Sequence, residues 1–295
     1  MLKVYNLRTG SYEIEKTAGS RWLDGLYGTG TGRFLLELLI KHKVCSFLCG
    51  KLCDTRISAK MIKRFVEKYN IDLSECVEGI HGFKSFNDFF TRKLKPGARK
   101  FDPDPNLLSS PGDGRMRVLK DIDPGNILQV KGLFYSLEEL LLDRELAEKY
   151  KGGICIILRL APVDYHRFHF VDSGVCERSR AIKGFYYSVN PRALHAIPGL
   201  YCKNNREVSL FRSDNFGDIT YVEVGAKFTG TIVQTYKPGT RVEKGAEKGY
   251  FKFGGSTCIL LFEKNSAVIN EQILDQTQKG YEVKVLAGDV IGRKG

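Results

Sequence analysis

The 295-residue chain reads as an α+β protein. Helices fill its first third, and a mostly antiparallel β region with barrel- or sandwich-like C-terminal strands follows. Three features carry this reading. Apolar residues recur at helical spacing in the first third. Pro103, Pro105 and Pro111 then mark an extended connector, beyond which short apolar runs alternate with Gly and Pro punctuation. The same features divide the chain into residues 1–100 and 101–295.

The segment Arg33 to Cys53 joins the apolar run Phe34-Leu35-Leu36-Glu37-Leu38-Leu39-Ile40 to Lys41, His42, Lys43 and Lys51. A second helix is expected after Ser58, with Met61, Ile62, Phe65 and Val66 on one face and an end near Asn70. Both segments suit core packing, and both suit a basic amphipathic surface in a lipid interface. A short helix is expected over Phe86 to Lys93 before Pro96-Gly97 breaks the pattern. Ser136 and Glu139 form a capping box ahead of Leu137, Leu140, Leu141 and Leu142, predicting a helix to about Tyr150. Ile154 to Leu160 is a continuous apolar run suited to a buried strand. Further strands are expected near Ile219 to Val224 and Thr229 to Tyr236, and the tail alternates through Val283, Val285 and Ala287 before a turn at Gly288-Asp289.

Lys and Arg number 46 against 34 for Asp and Glu, a formal net charge of +12. Such a surface favours anionic partners, nucleic acid or acidic lipid headgroups. No apolar run reaches the roughly 18–20 residues of a spanning helix, and the first residues lack a signal-peptide core. The expectation is therefore a cytosolic protein attached to a membrane surface. The eight cysteines contain no CxxC pair and read as reduced thiols. Cys45, Cys49 and Cys53 share a helix face, but no His or fourth Cys stands at ligand spacing, so no metal is expected.

Four residues, Gly254-Gly255-Ser256-Thr257, lie between the strand-like runs Tyr250 to Phe253 and Cys258 to Phe262. Gly-Gly-Ser-Thr is ordinary hairpin-turn chemistry. The sharper reading is a point where the chain cuts itself, with Ser256 as nucleophile and the glycines allowing close backbone approach. Of five histidines, His166 and His169 fall three apart just after the Ile154–Leu160 run. They suit packed or loop positions, two ligands of an incomplete metal site, or acid/base work. Asp113, flanked by Gly112 and Gly114, reads as a turn residue or as a carboxylate that orients an imidazole.

Six stretches, in order, carry a resemblance: Ser85-Phe86-Asn87-Asp88-Phe89-Phe90-Thr91-Arg92-Lys93-Leu94-Lys95-Pro96-Gly97-Ala98-Arg99; Ser110-Pro111-Gly112-Asp113-Gly114; Lys131-Gly132 with Tyr135-Ser136-Leu137-Glu138-Glu139-Leu140-Leu141; Leu160-Ala161-Pro162-Val163-Asp164-Tyr165-His166-Arg167-Phe168-His169; Tyr187-Ser188-Val189-Asn190-Pro191; and Phe253-Gly254-Gly255-Ser256-Thr257. Together they resemble the phosphatidylserine decarboxylases. The resemblance implies a proenzyme cleaved between Gly255 and Ser256 into residues 1–255 (a β chain) and 256–295 (an α chain) that remain together as a heterodimer, with higher assembly left open. It implies that Ser256 attacks the Gly255 carbonyl, with His169 as base and Asp113 orienting that imidazole, and that residue 256 becomes a pyruvoyl group. That group would form a Schiff base with phosphatidylserine and take up electrons as carbon dioxide leaves, giving phosphatidylethanolamine, with His166 serving decarboxylation or proton return. By the same resemblance the 101–295 region is catalytic, the first hundred residues face an anionic bilayer rather than nucleic acid, and the protein sits on the cytoplasmic face of a bacterial cell membrane.

Two departures from the family pattern stand out. Asn204-Asn205-Arg206 replaces the Asn-Glu-Arg of many members, and Gly254 stands where others carry Leu. Two other classes compete. A Ser-His-Asp lipid esterase would normally set its serine in Gly-x-Ser-x-Gly, which the surroundings of Ser256 do not match. A non-catalytic membrane-binding β module would have no need of Asp113, His166 and His169 in these contexts.

Overall fold

A computed structural model describes residues 2–15, 50–130, 132–225, 231–254 and 256–295. The Phe34–Ile40 run, Cys45, Cys49, Thr229 and Gly255 lie outside the described residues.

An eleven-stranded sheet organises the chain. At its centre lie Asp218–Gly225, Ser256–Phe262, Ile154–Leu160 and Gly114–Lys120, each antiparallel to the next. Every residue of Ile154–Leu160 and of Ser256–Phe262 is buried, which explains why both are mostly apolar and show no polar/apolar alternation. Register places Ser256 opposite Leu160 on one side and Gly225 on the other.

The two faces of this sheet bury separate cores. On one, Cys155, Ile157, Val222, Ile259 and Leu261 meet Leu137, Leu140, Leu141 and Leu194 from the helices. On the other, Ile156, Leu158, Leu160, Cys258 and Leu260 meet Phe168, Phe170 and Phe251. Those aromatic residues arise from or beside a three-stranded sheet of Ile232–Gln234, Glu247–Phe251 and Arg167–His169. A third cluster of Cys53, Ile62, Phe83, Phe86, Phe89 and Phe90 packs against Phe253, just ahead of Ser256.

The mixed, mostly antiparallel character agrees with the sequence reading, while several elements differ from it. The chain begins as a β-hairpin rather than a helix: Leu2–Asn6 pairs with Ser11–Glu15 and runs parallel to Glu282–Val285. The opening strand therefore joins the sheet that holds Ser256, across the division expected at residue 100. Among the described residues the sheet's strand order is an open path. Helix Lys60–Tyr69 ends where expected, at left-handed Asn70. Helix Phe86–Phe90 is shorter than expected because the chain beyond it turns extended to pair with residues 75–77, Lys95 N–H donating to the Glu75 carbonyl at 2.8 Å and Val77 N–H to the Lys93 carbonyl at 3.0 Å. The Ser136–Glu139 capping box is present, but Leu142 turns left-handed and Asp143 caps a separate helix, Arg144–Lys149.

Beneath the central ladder, Lys248 donates to Glu223 at 2.8 Å and to Gln234 at 3.0 Å, with both ion-pair side chains fully buried. The ammonium also lies 5.1 Å from the Tyr221 and Tyr236 ring centroids. Removing one member of such a pair strands the other charge in an apolar interior. Lys248→Met is expected to cost about 3–5 kcal/mol in urea unfolding. Adding Glu223→Leu should recover most of that loss, and a double variant no more stable than the single would contradict the assignment.

Candidate active site

Ser256 begins a fully buried strand, so its hydroxyl needs an internal partner. His166 supplies it. The Ile154–Leu160 strand ends in a tight turn at Ala161 to Asp164, and the returning chain sets the imidazole under Ser256, Nδ1 to Oγ 3.1 Å. On the opposite edge of the ring, Nε2 lies 2.9 Å from the Ala161 carbonyl oxygen. A carbonyl can only accept, so Nε2 carries the proton and Nδ1 offers its lone pair to the serine hydroxyl. Phe90 stacks on the ring, centroids 3.9 Å apart, and Phe253 packs edge-on against Phe90 at 5.1 Å. Burial pushes the His166 pKa down to about 3, with the Asp164 carboxylate opposing part of that shift. The imidazole is therefore neutral at physiological pH.

His169 occupies a different environment. Its Nδ1 donates to the Gly245 carbonyl at 3.0 Å, and its backbone N–H reaches the Pro111 carbonyl at 2.7 Å. Its Nε2 is buried without a hydrogen-bond partner. Phe101 and Tyr165 flank the ring, and burial lowers its pKa. Asp113 is taken up by Arg99, which grips both carboxylate oxygens at 2.9 and 2.7 Å, and by the Ala287 backbone N–H at 2.8 Å. Among the described residues, Asp113 and His169 share no hydrogen bond. The carboxylate meets the imidazole only through its field and through the loop that ties Pro111 to His169. Of the residues expected to act together, the structure joins Ser256 directly to His166 and leaves Asp113 and His169 adjacent but unbonded.

The sequence model of the phosphatidylserine decarboxylase family matches residues 86–293. The chain is 56% identical to a phosphatidylserine decarboxylase proenzyme of Ruminiclostridium cellulolyticum, covering 99% of this chain and 97% of that one. Two more proteins of that name, from Clostridium perfringens and Clostridium botulinum, are 53% and 55% identical over all of this chain and 100% and 99% of their own lengths. The chain belongs to the phosphatidylserine decarboxylase family.

Within a family known by its proenzymes, the neighbours of Ser256 gain meaning that sequence reasoning had not assigned. Arg99 and Asp164 stand inside motifs already noted, yet nothing in their spacing announced that one would clamp Asp113 and the other would shape the turn before His166. Arg92 is buried, sends Nη2 to the Val163 and Asp164 carbonyls at 3.0 Å each, and has a buried Nη1 without a hydrogen-bond partner. At the Asn-Asn-Arg departure, Asn204 and Arg206 are buried and bonded to backbone carbonyls. The Asn205 carbonyl accepts from Gly225, the residue opposite Ser256, so the position of the lost acid adjoins the site through the main chain.

The His166 shift has a testable sign. In the fold the ring protonates near pH 3, and in the unfolded chain near its ordinary 6.5. The unfolded state binds more protons between those values, so stability is retained above about 6.5 and falls as pH drops through the window. His166→Gln removes this uptake, so its urea midpoint should vary less steeply with pH over the same range. Equal slopes would mean that the folded imidazole protonates freely.

Proposed function

We propose that this chain is a proenzyme that cuts itself between Gly255 and Ser256 and then converts phosphatidylserine to phosphatidylethanolamine and carbon dioxide. The observation that carries the reading is the buried Ser256 hydroxyl 3.1 Å from a neutral imidazole nitrogen, in a chain of this family. In self-cleavage Ser256 Oγ bonds to the Gly255 carbonyl carbon, its proton passes to an imidazole, and the peptide nitrogen leaves with a proton. Loss of the residue 256 α-proton to a base then eliminates the Gly255 carboxylate from the ester. Dehydroalanine remains at residue 256, and hydrolysis with loss of ammonia leaves a pyruvoyl group.

The residues around Ser256 fit that group. The position is fully buried, with His166 against the hydroxyl, the Phe90 ring stacked on that imidazole and Phe253 against Phe90. The pyruvoyl carbonyl would bind the substrate amine and take up the electrons released at the α-carbon. His166 is our candidate for returning a proton to that carbon, through Nδ1 once that nitrogen has taken one up, and the Phe90 ring stacked on it limits competing protonation by water. His169, with its unpartnered Nε2 lone pair, serves self-cleavage as general base, in a loop stiffened by Asp113 and Arg99. The direct Ser256–His166 contact favours a second reading, in which His166 takes the hydroxyl proton first.

The substrate resides in a bilayer, and the described residues offer a surface for one. Leu52, Ile57 and Met61 are exposed at 57%, 72% and 47% beside Arg56, Lys60, Lys63 and Arg64. Among the described residues no helix is long and apolar enough to cross a membrane. Attachment is then interfacial, driven by apolar insertion and by about 1 kcal/mol per basic residue near anionic lipid. After cleavage the two fragments stay paired through the Ser256–Phe262 ladder.

A denaturing gel with intact-mass measurement tests the processing. Wild type should give fragments of residues 1–255 and 256–295, the smaller blocked to N-terminal sequencing and reactive to carbonyl reagents, while Ser256→Ala stays whole. His169→Ala should also stay whole and His166→Ala should cleave but fail to decarboxylate; the reverse pattern would establish the second reading. A wild-type chain that remains whole with a free Ser256 hydroxyl would sink the proposal. Binding to phosphatidylserine vesicles should weaken with rising salt and on Ile57→Ser combined with Met61→Ser, and binding indifferent to both would remove the membrane surface.

A further inference from the structure

His166 is useful only in one tautomer, and the structure shows what selects it. Nδ1 must be bare to accept from Ser256, which requires the proton on Nε2 and an acceptor facing it. That acceptor is the Ala161 carbonyl, 2.9 Å away. The Ala161 peptide is itself clamped on both sides by one residue. The Asp164 backbone N–H donates to the Ala161 carbonyl at 2.9 Å, and Asp164 Oδ2 accepts from the Ala161 N–H at 2.7 Å.

Asp164 is in turn held by two arginines. Arg115 Nη1 donates to Oδ2, and Arg92 Nη2 donates to the Asp164 and Val163 carbonyls. Arg115 also stands 3.3 Å from Glu15, in the strand at the far edge of the main sheet. The Arg115 charge keeps the buried Asp164 carboxyl below the usual carboxylate range, against the pull of burial. The turn is thus fixed by charged groups that touch neither His166 nor Ser256.

We infer that Asp164, held by Arg115, is a positioning residue that fixes His166 as the Nε2–H tautomer by presenting the Ala161 carbonyl to it. The inference rests on the assignment of His166 to the reacting centre, but not on which proton it moves. With the clamp loosened, Ala161 swings away and the ring can carry its proton on Nδ1. It then donates to the serine oxygen where it should accept, and after processing the nitrogen that faces residue 256 lacks the lone pair with which to take up the proton it is to return.

Imidazole ¹⁵N spectra of histidine-labelled full-length protein read the tautomer directly, with the His166 signals identified by their loss in His166→Gln. Wild type should show protonated Nε2 and bare Nδ1. Asp164→Asn, which keeps the shape but loses the negative charge that pairs with Arg115, and Arg115→Met should each give a mixture or the Nδ1–H form. Decarboxylation kcat should fall by about 10²-fold with KM little changed, the size expected when one acid/base group is misset. Arg115→Lys should restore the wild-type spectrum and most of kcat. Circular dichroism checks that each variant folds, and Arg115→Met carries the comparison should Asp164→Asn fail. Wild-type His166 protonated on Nδ1, or folded variants that keep Nε2–H while losing activity, would overturn the inference. The spectrum can be read whether or not the chain processes itself, so failure of the decarboxylase reading would show separately, as absent cleavage and absent product.

Discussion

The pairing of Ser256–Phe262 between Ile154–Leu160 and Asp218–Gly225 is the constraint on which the rest depends. It places Ser256 at the first residue of a strand that is buried throughout and bonded on both edges. A peptide bond can then be broken just ahead of the strand without removing a single pair from the ladder. The serine is held rigidly by the sheet, while the Phe253-Gly254 segment is supported by separate contacts, Phe253 N–H to Asn87 Oδ1 at 2.8 Å and its ring against Phe86 at 4.9 Å. The aromatic helix Phe86–Phe90 therefore supports the segment just ahead of Ser256 and the imidazole bonded to Ser256 with the same small cluster.

Charge is used differently from apolar burial in this molecule. Arg159, next to Leu160 in the central ladder, binds Glu15 at 2.7 Å and Glu282 at 2.5 Å. Glu282 lies downstream of residue 256, while Glu15 and Arg159 lie upstream. The Arg159 charge holds the buried Glu282 carboxyl below its ordinary range in spite of burial. Taking these groups out of water is costly, and apolar replacements of equal shape can match or exceed such pairs in stability. Their contribution here is geometric: they fix the opening hairpin and the last strands relative to the turn that carries His166.

Much of the fold could be read from the chain, for physical reasons that differ by element. Ile154–Leu160 and Cys258–Phe262 were legible because double-sided burial leaves Arg159 as the one polar residue within them. The Ser136 helix start was legible because capping is local chemistry. The opening hairpin was not, because its first strand depends on a parallel partner more than 270 residues away in sequence, Val4 opposite Glu282. Helix Phe86–Phe90 was overextended because the pairing of residues 93–95 with residues 75–77 is invisible to local propensity. At the site, the residue types were legible and their wiring was not. Asp113 looked like an orienting carboxylate, and nothing in its loop revealed that Arg99 would saturate both oxygens.

The spacing of His166 and His169 explains why one motif can furnish two separate imidazoles. Residues three apart along an extended chain point to opposite faces, and here His166 just precedes the strand Arg167–His169, its carbonyl paired to Phe251. Each ring is then fixed by a backbone carbonyl, but through different nitrogens: Ala161 holds His166 by Nε2, and Gly245 holds His169 by Nδ1. The two rings consequently present different bare nitrogens in different directions, one already bonded to Ser256 and one buried without a partner. A pair set two residues apart would share a face and compete for one position. With a spacing of three and opposite tautomers, each lone pair has its own direction, so one motif can serve two chemical steps.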